Sequence, residues 1–409
     1  MDSVSHKVNL KPGLIELLVC LLPLLTIRGD TNNNYIIGAY LVFILGLAIL
    51  NKAYSENFQF IFFNYKEWFF ILVWGIYILN KSPVLSEAFK FYTFTIVFPF
   101  VLFQIINNLK ISESFLKKLF QILFFTGFCL GLGAVIYVIL NGYDPKGRIT
   151  PFWTAFNMVS GYLMIIFLFN LSFLINRKKG ESMVFYIITI FITLFGMFLT
   201  QTRGVWLATV LAVAFFFIKR PKIIIPAAIF LGFFGIMFSS VIGSRIFTII
   251  NFTKDASAVG RLQAWLSSII LIKQNPFFGY GFDAYQFLRD DVFSYYIVKV
   301  LHSHNTFLRG ILEMGLIGSI FYFSFFFKAI YYSFTIKNKI IVNDYKRYID
   351  GFQLSFVGLL IIFNFEPYLS TYDNSCIVIW LIISLMFAFK KFVSSSEIDQ
   401  ISPNSVLND

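Results

Sequence analysis

Long apolar runs recur from one end of this chain to the other, and that recurrence leaves few folds open to it. Windows of about 15–22 residues, the length with which a helix crosses a bilayer, lie at 13–27, 35–50, 67–80, 87–106, 118–140 and 153–175. Six more follow at 183–200, 204–218, 222–242, 305–328, 350–365 and 374–389. Hydrophobic residues make up 58% of the 409, and charged residues only 13%, about half the charged share of a soluble domain. A water-soluble protein of this size could not bury its 55 phenylalanines and the aliphatic side chains beside them. The expected fold is therefore an all-α integral membrane protein with about 12 transmembrane helices. A soluble enzyme, a disordered chain and a nucleic-acid-binding module are excluded.

The net charge of +12 is read by position, as a topology signal. With residues 1–12 placed in the cytoplasm and the spans alternating, the inward segments hold most of the basic residues. Lys110, Lys117, Lys118, Arg177, Lys178, Lys179, Lys219, Arg220, Lys346, Arg347, Lys390 and Lys391 are among them. Both termini come out cytoplasmic. Spans one to nine occupy 13–242, spans ten to twelve occupy 304–393, and the polar stretch 394–409 reads as a disordered cytoplasmic tail. The outward segment 243–303 is far longer than an ordinary connection. It carries Trp265, Phe277, Tyr280, Tyr285 and Tyr295, so it is expected to be folded and to hold the function. Cys20, Cys129 and Cys376 lie far apart in apolar runs, without redox or metal spacing. They are expected to be small buried hydrophobes with no disulfides.

Two stretches carry a resemblance. The first is Thr200-Gln201-Thr202-Arg203-Gly204-Val205-Trp206 at the outer start of a span; the second is His304-Asn305, nine residues, then Gly315-Leu316-Ile317-Gly318. Between them stand Gly260-Arg261-Leu262 and Asn275-Pro276-Phe277-Phe278-Gly279-Tyr280-Gly281. In their order and on one side of the membrane, these motifs resemble the O-antigen ligase and polymerase superfamily across residues 200–320. The resemblance implies a bacterial inner-membrane glycosyltransferase bundle of the C superfamily type, with a large periplasmic loop folded over the active site. It implies transfer of a glycan from undecaprenyl pyrophosphate to an acceptor hydroxyl, without metal or other cofactor. For a ligase the acceptor is a sugar of lipid A–core, and for a polymerase it is another lipid-linked repeat unit; the ligase is favoured. The family's essential arginines map onto Arg203 and Arg261, and its histidine onto His304.

The residues alone point the same way. Arg203 and His304 each precede a span that runs inward, so both spans present positive dipole ends to the outer surface. The stretch from Arg261 has apolar residues at 262, 265, 266, 269 and 270, the pattern of an amphipathic helix lying on the membrane with Arg261 at its start. Three helix N-termini, two with arginine, would make an anion site suited to the growing charge of a pyrophosphate leaving group. His304 has the intrinsic pKa of a general base. Secondary candidates are Asn305, Glu366 and Arg245, the last also readable as an interfacial anchor. Tyr280, Tyr285 and Trp153 could stack on sugars or serve as interface aromatics. His302 and His304 form a pair that could suggest zinc, but a third ligand is wanting, and Asp290-Asp291 reads as a solvated turn. Besides the donor and the acceptor, the partners expected are membrane lipids, with no nucleic acid. A transporter or flippase would carry charge at the midplane of its spans, and a scaffold would leave the arginine–histidine placement unexplained.

Overall fold

The computed structural model describes residues 13–28, 31–50, 64–142, 149, 152, 155–218, 256–293, 300–336, 345–369 and 374–401. Among these, all regular structure is helical. The helices are Leu14–Leu25, Thr31–Leu50, Lys66–Lys81, Leu85–Tyr92, Phe98–Asn108, Glu113–Asn141, Phe156–Ile175, Met183–Leu199 and Arg203–Phe217. After them come Ala256–Gln274, Tyr285–Leu288, Thr306–Ile336, Lys346–Ile362 and Asn374–Ile401. A π turn, Thr93–Val97, joins the fourth to the fifth in one rod, and its Thr95 carbonyl accepts from the buried Tyr322 hydroxyl at 3.0 Å.

Five helices are long and apolar enough to cross a membrane: Leu85–Asn108, Glu113–Asn141, Phe156–Ile175, Thr306–Ile336 and Ser375–Ser394. Leu14–Leu25, Tyr35–Leu50, Met183–Leu199 and Arg203–Phe216 are apolar but shorter. The all-helical membrane class stands, and the count of twelve is not met by the described helices. The window at 222–242 lies outside the described residues. The final helix continues to Ile401, past the point where a polar tail was expected to begin.

Which helices sit inside follows from which are apolar all round. The best 18-residue windows of Phe156–Ile175 and Ser375–Ser394 are 83% buried, against 39% for Glu113–Asn141. Phe156–Ile175 runs against Lys346–Ile362: Gly351 and Gly358 face Phe169 and Leu168, and Ser172 donates to the Arg347 carbonyl at 2.6 Å. Around them stands an aromatic core, with Trp68 against Phe325 (4.7 Å) and Trp380 (5.1 Å). Charge is concentrated at the two ends of this bundle. At one end the buried Arg347 pairs with Glu181 at 2.8 Å and stacks on Phe173, while Lys178 pairs with Glu113. Polar residues from Asn157, Thr202, His304 and Glu366 meet at the other.

Thr306–Ile336 is two helices joined at a break. Gly315 has φ 68 and ψ 174, which is not helical. The loop 276–281 docks into the opening: Tyr280 N–H donates to the Leu312 carbonyl (2.9 Å), Gly281 N–H to Glu313 (3.1 Å) and Leu316 N–H to Pro276 (2.8 Å). A Cβ at Gly315 would stand 2.1 Å from the Phe277 carbonyl oxygen, and one at Gly279 2.5 Å from that of Glu313. The Asn-Pro-Phe-Phe-Gly-Tyr-Gly motif and the glycine after His304-Asn305 are thus two halves of one backbone junction. Gly315→Ala combines strain worth about 1–3 kcal/mol with that backbone clash. A drop of at least several degrees in the thermal midpoint in detergent is expected, whereas Gly46→Ala, with open space around it, should change little.

Candidate active site

The stretch between Ser303 and Thr306 is held from three sides. Asn305 caps the following helix, its Oδ1 accepting from Phe307 N–H and Leu308 N–H, both at 2.9 Å. Thr306 donates its N–H to the Phe363 carbonyl (2.7 Å) and its hydroxyl to that of Glu366 (2.6 Å). Trp265 Nε1 reaches the His304 carbonyl at 3.4 Å. Clamped this way, His304 takes a left-handed conformation with φ 48. The other non-glycine residues with positive φ among those described are Gln201 (φ 51) and Asp283 (φ 56), both in loops at the same end of the bundle. Strain of this sort persists only where the surroundings enforce it, and it gathers at functional sites.

Glu366 is the centre. Its side chain is 2% exposed and accepts three hydrogen bonds, from His304 Nδ1 on Oε2 (3.1 Å), Arg261 Nη2 on Oε1 (2.9 Å) and Asn157 Nδ2 on Oε1 (2.6 Å). A buried carboxylate is tolerable only when satisfied in this way. Arg261 lies well inside Ala256–Gln274 and not at its start, because the helix begins with Ala256-Ser257-Ala258-Val259. Arg261 therefore contributes through its guanidinium and not a helix dipole, whereas the N-terminus of Phe156–Ile175 does reach this end, with Asn157 on Glu366. The Arg261 Nε is buried without a partner among the described residues, an N–H donor still to be used. The small residues Gly260, Ala264, Ser267 and Ser268 turn inward, while Leu262, Leu266, Ile269 and Ile270 remain exposed.

Arg203 is the first residue of Arg203–Phe217 and is half-buried. Its neighbour Thr202 reaches Asn157 Oδ1 at 3.4 Å, and a Cβ at Gly204 would meet Phe365 at 3.3 Å. Arg203 thus stands beside the Asn157–Glu366 cluster. Arg245 and the aromatics Trp153 and Tyr295 lie outside the described residues. Tyr285 is buried against Ser267 (3.0 Å) and belongs to the loop's own core, so it is not available to stack on a sugar. Tyr280 spends its hydroxyl on the Leu271 carbonyl (3.0 Å).

A cavity of about 440 Å³ opens on this cluster. His304, His302, Glu366 and Asn157 line it together with Glu87, Phe91, Phe156, Asp283, Gln286 and Arg309. No sequence motif singles out Asn157, Asp283 or Arg309. Arg309 is 2% exposed, bonded through Nε to Glu313 (2.7 Å) and through Nη2 to Asp283 (3.2 Å), with Phe91 4.7 Å beneath it. Burial raises the Asp283 carboxyl and the Arg309 guanidinium opposes that rise. The visible signal was the spacing of Arg309 and Glu313, four apart in an apolar span. His302 Nδ1 accepts the His304 N–H at 3.4 Å, a role only a neutral ring can fill. Burial, then the neighbouring His304, Arg309 and Arg261, hold its pKa well below the ordinary value. A depressed histidine pKa means that the unfolded chain takes up the proton first. Stability should therefore fall as pH drops below about 6.5, and His302→Asn should flatten that slope in thermal melts taken from pH 7.5 to 5. Among the described residues no group of three His, Cys, Asp or Glu is placed to hold a metal ion.

Comparison with known proteins converges on this region. Residues 188–323 match the family model described as O-Antigen ligase, a span that holds Arg203, Arg261, His304 and the Gly315 junction. The chain is 26% identical over 331 residues to the "ComP-specific O-oligosaccharyltransferase" of Acinetobacter baylyi, covering 73% of this chain and 59% of that protein. It is 28% identical over 335 residues to the "O-antigen ligase" of Salmonella typhimurium, covering 75% and 78%. The chain spans about three fifths of the Acinetobacter relative's length, and both relatives' names support a glycosyl-transferring enzyme. The family match over 188–323 and the two relatives support a likeness to the O-antigen ligase superfamily.

Proposed function

We propose that the protein is an O-antigen ligase. It moves a glycan from undecaprenyl pyrophosphate to a sugar hydroxyl of lipid A–core on the periplasmic side of the inner membrane, by direct inverting displacement. The observation that carries this reading is Glu366, one carboxylate shared by the candidate base and a candidate pyrophosphate ligand. With Nδ1–H donating to Glu366, His304 keeps Nε2 basic for the acceptor hydroxyl, and the carboxylate stabilises the imidazolium once the proton arrives. The acceptor oxygen then bonds to the anomeric carbon as the bond from that carbon to the pyrophosphate oxygen breaks. Arg261 and Arg203 meet the charge that grows on the departing phosphate. The exposed apolar face of 256–274 suits contact with the membrane surface from which a lipid-linked donor arrives.

A polymerase would use the same chemistry on a second lipid-linked repeat, and the printed name of the Acinetobacter relative attaches its transfer to ComP. Deletion of the gene separates the three. A ligase leaves polymer of every length on the carrier lipid and bare lipid A–core. A polymerase leaves core carrying a single repeat. A protein-directed enzyme leaves lipopolysaccharide intact while a protein loses its glycan. The orientation is checked by single cysteines: one at Gly142 should label from outside, and one at Gly180 only after the cell is opened.

A further inference from the structure

The cavity contains more than the dyad and its partners, and its remaining walls are unlike a phosphate site. Arg203 and Arg261, the two arginines assigned to the pyrophosphate, do not line it. His304 and Glu366, assigned to the acceptor's proton, do. The space is therefore the acceptor's side of the reaction. Besides the dyad it presents Glu87, Asp283, Gln286, Arg309 and the rings of Phe91 and Phe156. Planar carboxylate, amide and guanidinium groups beside aromatic rings offer donors and acceptors in the geometry that vicinal hydroxyls need.

Charge narrows the class of ring. Arg309 is matched by Glu313 and Asp283, Arg261 by Glu366, and Lys90 by Glu87 at 2.7 Å. Each of these cations already has a carboxylate, so an acidic sugar would bring an anion with no counter-charge to meet it, at a cost of desolvation and repulsion. Hydrogen-bond capacity, by contrast, is left over. Arg309 has Nη1 without a partner among the described residues although the side chain is 3% exposed and forms part of the cavity wall. Gln286 donates to Asp283 through Nε2, which leaves its amide oxygen for a hydroxyl or an amino group.

We propose that Arg309, Gln286 and Glu87 form an acceptor-sugar subsite that takes a ring bearing hydroxyl or amino groups and rejects a ring bearing a carboxylate. This rests on the transferase reading of the same site. Arg309 is here a binding residue, held in place by Asp283 and Glu313.

The test uses the full chain in nanodiscs and three octyl glycosides as probes: the glucoside, the 2-amino-2-deoxyglucoside and the glucuronide. A cysteine in place of Leu301, which lines the cavity and is 62% exposed, reports occupancy through its rate of reaction with a maleimide, against a background in which Cys20 and Cys376 are buried and the half-buried Cys129 is replaced by serine. The first two probes should slow labelling by about fivefold or more and the glucuronide by less than about twofold. Glu87→Lys, at a half-exposed position, should bring glucuronide protection up to that of the glucoside. Equal protection by all three probes, or none by the glucoside, overturns the subsite. In parallel, transfer from an undecaprenyl-pyrophosphate-linked glycan to the same glycosides is measured in wild-type protein. Sugar-selective protection without any transfer contradicts the transferase reading and leaves a sugar site. Transfer as fast to the glucuronide as to the glucoside contradicts the subsite and leaves the transferase.

Discussion

His304→Ala should lower single-turnover glycan transfer by about 10²–10⁴-fold, the range typical of a lost general base, while binding of the undecaprenyl pyrophosphate donor changes by less than about threefold. The split follows from geometry. His304 faces the cavity and is tied to Glu366, whereas Arg203 and Arg261 do not line that space. Raising the pH should recover part of the lost rate, because more acceptor alkoxide then forms without help. Transfer at the wild-type rate would remove His304 from the chemistry. Loss of donor binding with unchanged chemistry would make it a pyrophosphate ligand.

Arg203→Ala and Arg261→Ala should behave in the opposite way. In the proposed reaction each variant loses charge-assisted donors to the leaving group, so transfer should fall by about 10²–10³-fold, the loss seen when one oxyanion-stabilising donor is removed. Donor binding should weaken with it. Lysine at either position keeps the charge but loses the planar fork, so rescue should be partial. The two arginines differ in a further respect. Arg261 also holds Glu366 at 2.9 Å, so Arg261→Ala frees a carboxylate that is 2% exposed and should disturb His304 as well. Arg203→Ala should spare the dyad. Donor-binding isotherms and pH–rate profiles of both variants separate these effects: only Arg261→Ala should shift the pH profile.

Much of the site was legible because its residues sit in motifs with fixed neighbours. Arg203 opens its helix as the Thr-Arg-Gly stretch suggests, and His304, Arg261 and Glu366 do come together. Arg347 and Lys178, two of the residues expected to face inward, lie together with Glu113 at the opposite end of the bundle. What sequence could not show was contact across long separations. Asn157 bonds a carboxylate 209 residues away, and nothing in a periodic apolar window marks one amide as a ligand. Arg261 was placed at a helix start because the apolar repeat begins there, but the helix is set by Ala256 to Gly260, small residues that hydropathy windows do not register. The spacing after His304-Asn305 does not show what Gly315 is for. Its true requirement is a positive φ and an approaching carbonyl, and both come from a loop distant in sequence. The count of twelve spans is not confirmed: five described helices are long and apolar enough to cross a membrane, and the window at 222–242 lies outside the described residues.

The central claim is that His304 and Glu366 act as one unit in glycosyl transfer, and non-additivity tests it most directly. Single-turnover transfer from an undecaprenyl-pyrophosphate-linked glycan would be measured in nanodiscs for His304→Ala, Glu366→Gln and the double variant. Groups that act together lose their effect together. If the pair is a unit, Glu366→Gln slows transfer by about 10²-fold or more, and the double variant is no slower than His304→Ala alone. Glu366→Gln at the wild-type rate, or losses that multiply in the double variant, would contradict the account.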